Sequence, residues 1–139
     1  MNRVVVDANV LASGIAGHPD SPSRRLFEAL AADRIEAVLC DRILRELDRA
    51  LQRPYFAERV TVLERRQADA VLRAAADMLP DPVAPPAVVR DPRDDYLVAL
   101  ARATRVDAII TGDRDLLDHE GLEPPAFTPR AACERFGLP

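Results

Sequence analysis

Acidic residues stand at spacings that could do chemistry: Asp7, Glu46, the adjacent Asp94 and Asp95, and Asp113. Asp7 ends the run Val4-Val5-Val6, and Asp113 follows Ala108-Ile109-Ile110-Thr111-Gly112. Each therefore falls just after an apolar, β-branched stretch that reads as a buried parallel strand. In open α/β sheets the crevice outside the carboxyl ends of the strands is where ligands bind. Carboxylates drawn together repel one another, and the pocket then raises their pKa values or demands a cation. A ligand set made only of oxygen selects hard octahedral ions, Mg2+ or Mn2+, which orient water and offset the charge developing in phosphodiester cleavage. Asp7, Glu46 and the Asp94–Asp95 pair also have plainer uses. Asp7 could cap the helix that follows it, Glu46 could pair on the surface with Arg42 and Arg49, and acids in the first turn of a helix suit its dipole.

The elements that must position these acids follow from periodicity. After the strand ending on Asp7, Asn9 reads as the cap of a helix over residues 10–15, closed by Gly17. Ser21 caps a second helix reaching residue 34, with Pro22 at its first position. A short strand spans residues 35–40, and Asp41 caps a helix over 42–53 that Pro54 ends. Its inward stripe is Ile43, Leu44, Leu47, Ala50 and Leu51, which leaves Glu46 on the flank, about 100° from the stripe's centre. Helix geometry alone favours the surface pairing for Glu46. An amphipathic helix over residues 60–78 and an extended bridge rich in proline come next. The remainder reads as a helix over residues 94–105, a strand at 107–111, a helical turn at 116–119, an edge strand within 123–127 and a last helix over 129–136 capped by Thr128. Such alternation specifies one α/β domain over residues 1–139, a sheet sandwiched between helix layers. If its strands are parallel, right-handed crossovers bring the acids to one edge.

Composition removes several rivals. At 48% hydrophobic and 30% charged residues the chain is globular in type, and no apolar run approaches the roughly 20 residues of a membrane span. The apolar start carries Asp7 and lacks a cleavage pattern for secretion, so the expected location is cytoplasmic. A net charge of −4 argues against a globally basic nucleic-acid binder without excluding a local basic groove. All 19 positive side chains are arginine. Without lysine there is no P-loop, and phosphoaspartate enzymes and receiver domains, which also begin with a strand ending in Asp, lose the lysine they rely on. The haloacid-dehalogenase pattern expects a second Asp where this chain has Asn9. Cys40 and Cys133 lie far apart in apolar settings and read as buried free thiols, while His18 and His119 read as solvated.

The blocks Val4-Val5-Val6-Asp7-Ala8-Asn9-Val10-Leu11, Asp94-Asp95-Tyr96-Leu97-Val98-Ala99-Leu100-Ala101 and Ile110-Thr111-Gly112-Asp113-Arg114-Asp115-Leu116-Leu117, with Arg45-Glu46-Leu47 and Phe127-Thr128-Pro129-Arg130, resemble the PIN domain family. The likeness is closest to the toxin components of bacterial toxin-antitoxin systems. It implies a three-layer α/β/α fold with a parallel five-stranded sheet and a Mg2+- or Mn2+-dependent endoribonuclease acting on RNA. By position the resemblance assigns Asp7, Glu46, Asp95 and Asp113 to the metal cluster, Asp115 or Asp94 to an additional ligand, and Asn9 and Thr111 to hydrogen bonds behind it. It reverses the order of readings for Glu46. An ideal wheel puts Asp94 nearer the inward stripe than Asp95, whereas the family interval selects Asp95, and wheel geometry is least reliable in a first turn.

The implied partners are an RNA substrate, a small antitoxin protein and a second copy of the chain in a homodimer or higher homo-oligomer, with the apolar face of residues 60–78 as one surface. Arg24, Arg25, Arg42, Arg49 and Arg53 are candidates to grip an RNA backbone, and Tyr55, Phe56 and Tyr96 to stack on bases, where ordinary surface and core uses compete. The alternative readings are a PIN-fold protein acting mainly as a protein-binding module, and a free-standing RNA-processing nuclease without an antitoxin.

Overall fold

The structure, a computed structural model, describes residues 1–83 and 95–139, with side chains in the second stretch described from Tyr96 onward. Strand β1 (Arg3–Val6) is central because Val4, Val5 and Val6 are wholly inaccessible to solvent. Strands β2 (Glu36–Leu39) and β4 (Ala108–Ile110) flank it, with Val5 paired to Val38 on one side and Ile109 on the other. The edges are β3 (Asp77–Met78) and β5 (Ala126–Phe127), giving the order β3-β2-β1-β4-β5 with every pair parallel.

Among the described residues eight helices connect these strands. The chain moves outward from β1 through α1 (Ala8–Ala16), α2 (Pro22–Ala31), α3 (Asp41–Leu51), α4 (Pro54–Ala57) and α5 (Val62–Ala75). It returns across the sheet with α6 (Asp95–Ala103) and finishes through α7 (Arg114–Leu117) and α8 (Pro129–Arg135). Right-handed crossovers in opposite directions place the helices before β3 on one face and α6 on the other. Helix α1 accordingly packs on α2 and α3, while α6 lies on β1, β2 and β4. Gly14 permits the α1–α2 approach, since a Cβ there would stand 2.7 Å from the carbonyl oxygen of Ser23. The three-layer α/β/α sandwich is thus the one expected, and its strand order reverses direction between β1 and β4, the place at which ligands bind in open α/β sheets.

Local sequence explains most boundaries. Ser21 Oγ accepts the Arg24 N–H at 3.2 Å with Pro22 at the first helical position, and Thr128 caps α8 as its sequence foretells. A reciprocal capping box between Thr61 and Glu64 starts α5 at Val62. The amphipathic pattern continues to Met78, but α5 stops at Ala75 because Asp77 and Met78 pair with Val38 and Leu39 as a strand. Two expected caps shift. Asp7, not Asn9, caps α1, and Asp41 is the first residue of α3 while Cys40 takes the cap position without a side-chain bond.

The missing cap of α3 comes from outside it. Asp81 Oδ1 accepts the backbone N–H of Arg42 at 2.9 Å, and its Oδ2 pairs with Arg45 at 3.0 Å. The Arg42 N–H is the main cause that holds the Asp81 carboxyl below the usual aspartate range, burial opposing it and Arg45 assisting. A lowered folded-state pKa contributes stability that is present above the ordinary aspartate range and lost as pH falls through the lowered value. Asp81→Ala is therefore expected to cost about 1 kcal/mol at neutral pH, as loss of a helix cap does. Urea unfolding at several pH values checks this: the deficit should vanish in acid, where the parent protonates Asp81 as well.

Candidate active site

Asp7 stands at the reversal point of the sheet. Its N–H continues the β1–β4 ladder to the carbonyl of Ile110 at 2.9 Å, which fixes its backbone. The residue is only 9% exposed. Carboxylate Oδ1 accepts the Asn9 N–H at 3.4 Å, and Oδ2 accepts the hydroxyl of Thr111 at 2.8 Å. Thr111, fully buried beyond β4, is itself held by its N–H to the Phe127 carbonyl at 2.9 Å. Its Oγ1 also accepts the N–H of Asp113 at 3.0 Å, so a single hydroxyl ties the acid after β1 to the acid after β4. Asp113 in turn caps α7, accepting the Asp115 N–H at 2.8 Å.

Burial is the largest influence on Asp7 and pushes its pKa above the ordinary aspartate value. Hydrogen bonds from Thr111 and Asn9 pull the other way, and the charges of Glu46 and Asp113 push it up further. Glu46 and Asp113 are thereby each in electrostatic reach of Asp7, although they come from separate parts of the chain.

Glu46 arrives from α3, whose stripe Ile43, Leu44, Leu47, Ala50 and Leu51 is buried while the Glu46 side chain stays 31% exposed. Its Oε2 accepts the Tyr96 hydroxyl at 2.7 Å, and Oε1 faces Arg42 Nε at 3.4 Å. The Arg42 guanidinium lies over the Tyr96 ring, 3.9 Å from its centroid. The surface pair foreseen for Glu46 forms with Arg42 and not, among the described residues, with Arg49, and the Glu46 charge also acts on Asp7. Tyr96 is 2% exposed, and burial together with Glu46 raises its pKa far above the ordinary phenol, so it stays protonated and donates.

The remaining sequence candidates sort as follows. Asp94 lies outside the described residues, as does the side chain of Asp95, whose backbone opens α6. Asp115 is half-buried in the first turn of α7. Asn9 is exposed and meets Asp7 through its backbone. Arg24 is committed to Glu28 and to the carbonyls of Gly14 and Ile15, and Arg25 is half-buried with Nε unpartnered among the described residues. Both cysteines are buried and free; burial pushes the Cys40 thiol up to about 11, which leaves no thiolate nucleophile there. Tyr96 as the partner of Glu46 is a contact that sequence reasoning missed: the two are 50 positions apart, and its apolar neighbours mark Tyr96 only as core.

Asp7, Glu46 and Asp113 offer oxygen donors alone, and the repulsion felt at Asp7 is what a cation relieves, so the residues suit a hard divalent ion. Among the described residues no three His, Cys, Asp or Glu side chains are gathered tightly enough to form a ready-made shell. An ion such as Mg2+, which keeps several of its waters, can be held across wider gaps.

Comparison with known proteins agrees with this fold. A family profile described as a PIN domain matches residues 3–115. Among solved structures the chain is similar to the crystal structure of PAE2754 from Pyrobaculum aerophilum, with a TM-score of 0.64 and 17% identity over 98% of this chain and 90% of that one. At such low identity the likeness bears on the fold alone. No curated protein matches the sequence.

Two variants test the electrostatics of the site. A raised folded-state pKa means that ionised Asp7 costs stability at neutral pH, a cost that disappears as pH falls below the ordinary aspartate range. Asp7→Asn keeps a cap-forming side chain, so its metal-free melting temperature should exceed the parent's at neutral pH and the gap should close in acid. Thr111→Val preserves shape but strips Asp7 of its best donor and takes the partner from the half-buried Asp113 N–H. Chemical denaturation should show a loss of about 1–3 kcal/mol, and carbonyl NMR a further rise in the Asp7 pKa.

Proposed function

The chain belongs to the PIN domain family, and from that premise we propose that it is a Mg2+- or Mn2+-dependent endoribonuclease serving as the toxin of a toxin-antitoxin pair. PIN domains are nucleases as a family. The observation that carries the finer reading is the buried carboxylate of Asp7 at the sheet's reversal point, its pKa raised by burial and by the charges of Glu46 and Asp113. Asp7, Glu46, Asp95 and Asp113 are the residues that would hold the ion, with Asp115 or Asp94 as a further ligand. When bound, the ion supplies a Lewis acid that makes hydroxide available near neutral pH and offsets charge on the phosphoryl oxygens.

The chain's own side chains set the stage for that chemistry. Thr111 holds Asp7 through Oδ2 and steadies the backbone of Asp113 with the same oxygen. Tyr96 restrains Glu46, and Arg42 offsets part of its charge. By family resemblance the products carry 5′-phosphate and 3′-hydroxyl ends. The proposed setting is the cytoplasm, with a small antitoxin as partner and self-association into a homodimer or higher oligomer. Exposed Val62, Leu63 and Val71 on α5 supply an apolar surface for such contacts.

A panel of single-stranded RNAs incubated with the protein in Mn2+, Mg2+ or EDTA, beside Asp7→Asn, tests the reading. Cleavage should require the ion and be abolished in the variant. Cleavage indifferent to EDTA, or full activity in Asp7→Asn, overturns it. Expression that arrests growth with the parent but not with Asp7→Asn supports the toxin role; growth unaffected by an active parent removes it.

A further inference from the structure

An acidic edge cannot by itself hold a polyanion, so the substrate strand must be gripped beside it. The described arginines differ in how far they are already committed. Arg45, Arg65 and Arg73 are spent on Asp81, Asp48, and the pair Asp41 and Asp69, all at 3.0 Å or less. Along α3 another set is not. Arg42 touches Glu46 through Nε alone while its guanidinium rests on the Tyr96 ring, so both terminal nitrogens lack a partner among the described residues. Arg49 and Arg53 are exposed and enter no ion pair or side-chain hydrogen bond among the described residues. The nearest acids do not cancel them: Asp48 and Asp69, which line a groove of about 320 Å3 with Arg49, are held by Arg65 and Arg73.

Spacing makes this a row. At about 100° and about 1.5 Å per residue Arg42 and Arg49 lie within roughly 20° of one line and about 10 Å apart along the axis of α3, and Arg53, whose backbone is extended, follows as the cap residue of α4. Arg53 stands just past the end of α3, and the opposite end of the row, Arg42, adjoins Glu46.

We propose that this row is the track of the substrate RNA, with Arg42 holding the phosphate beside the acidic edge and Arg49 and Arg53 holding phosphates further along the same strand. The proposal rests on the endoribonuclease reading above. A guanidinium fork matches a phosphate bidentately, and Arg42 is already oriented by the ring beneath it.

Binding is read without cleavage in the Asp7→Asn background with Mn2+ present, from the anisotropy of a labelled single-stranded RNA across a salt series. Three proteins are compared: that background alone, with Arg49→Ala and Arg53→Ala, and with Arg105→Ala. Arg105 is exposed ahead of β4, at the amino end of the strands and so opposite the acidic end, where its carbonyl accepts Arg3 Nε. Each lost phosphate contact removes about 0.7 from the log–log salt slope. The double variant should therefore be shallower by about 1.4 and bind several-fold more weakly at low salt, while Arg105→Ala leaves both unchanged. Equal slopes and affinities in all three overturn the track yet leave the nuclease reading standing, because that reading is judged on metal-dependent cleavage by the parent. A parent that cuts no RNA overturns the reading, and the track with it.

Discussion

The strand end that organises the fold carries one incompletely neutralised, buried carboxylate, Asp7. Removing a charge from water costs several kcal/mol, and a hydrogen bond to a charged group returns about 1.5–3 kcal/mol. Asp7 has two donors, the Thr111 hydroxyl at 2.8 Å and the longer Asn9 N–H at 3.4 Å, and they do not close the deficit. Its pKa accordingly moves up, with Glu46 and Asp113 adding to the push. What keeps the carboxylate in place is the strand behind it. Val4, Val5 and Val6 are wholly buried, Val4 and Val5 paired on both sides and Val6 with Ile110, so a register slip that relieved Asp7 would misplace three valines at once.

The acids reach this edge by separate routes. Asp7 comes directly off β1, Glu46 comes from the helix after β2, and Asp113 comes from the turn after β4. Nothing local holds them together, since Thr111 and Asp7 are 104 positions apart and Tyr96 and Glu46 are 50 apart. The site therefore exists only when the sheet is complete. The trans cap from Asp81 adds a further dependency, because it secures the N-terminal turn of the helix that carries both Arg42 and Glu46.

Much of this was legible in the sequence, for reasons that differ by element. The strands declare themselves because runs such as Val4-Val5-Val6 and Ala108-Ile109-Ile110 are buried from both sides and leave no alternation to misread. Ser21 and Thr128 mark helix starts because their caps are made within three residues. Strand β3 was not legible, since Asp77-Met78 continues a helical pattern and becomes a strand only by pairing with β2. Position singled out Asp7 and Asp113, whereas the wheel left Glu46 on a flank that serves a surface pair as well as a site. The Tyr96 contact and the Asp81 cap were invisible, because each joins segments that only the folded sheet makes neighbours.

Asp7 carries two duties on one side chain, and they respond differently to replacement. As the cap of α1 it stabilises the fold, and as a buried anion it opposes it. With no cation at hand, exchanging Asp7 for asparagine gains stability, because it keeps the cap and sheds the charge. Exchange for alanine discards both, so two opposed effects offset each other and the protein's stability changes little. Decay of such a site is thus biased in its first step, toward an amide that leaves the architecture intact and silent.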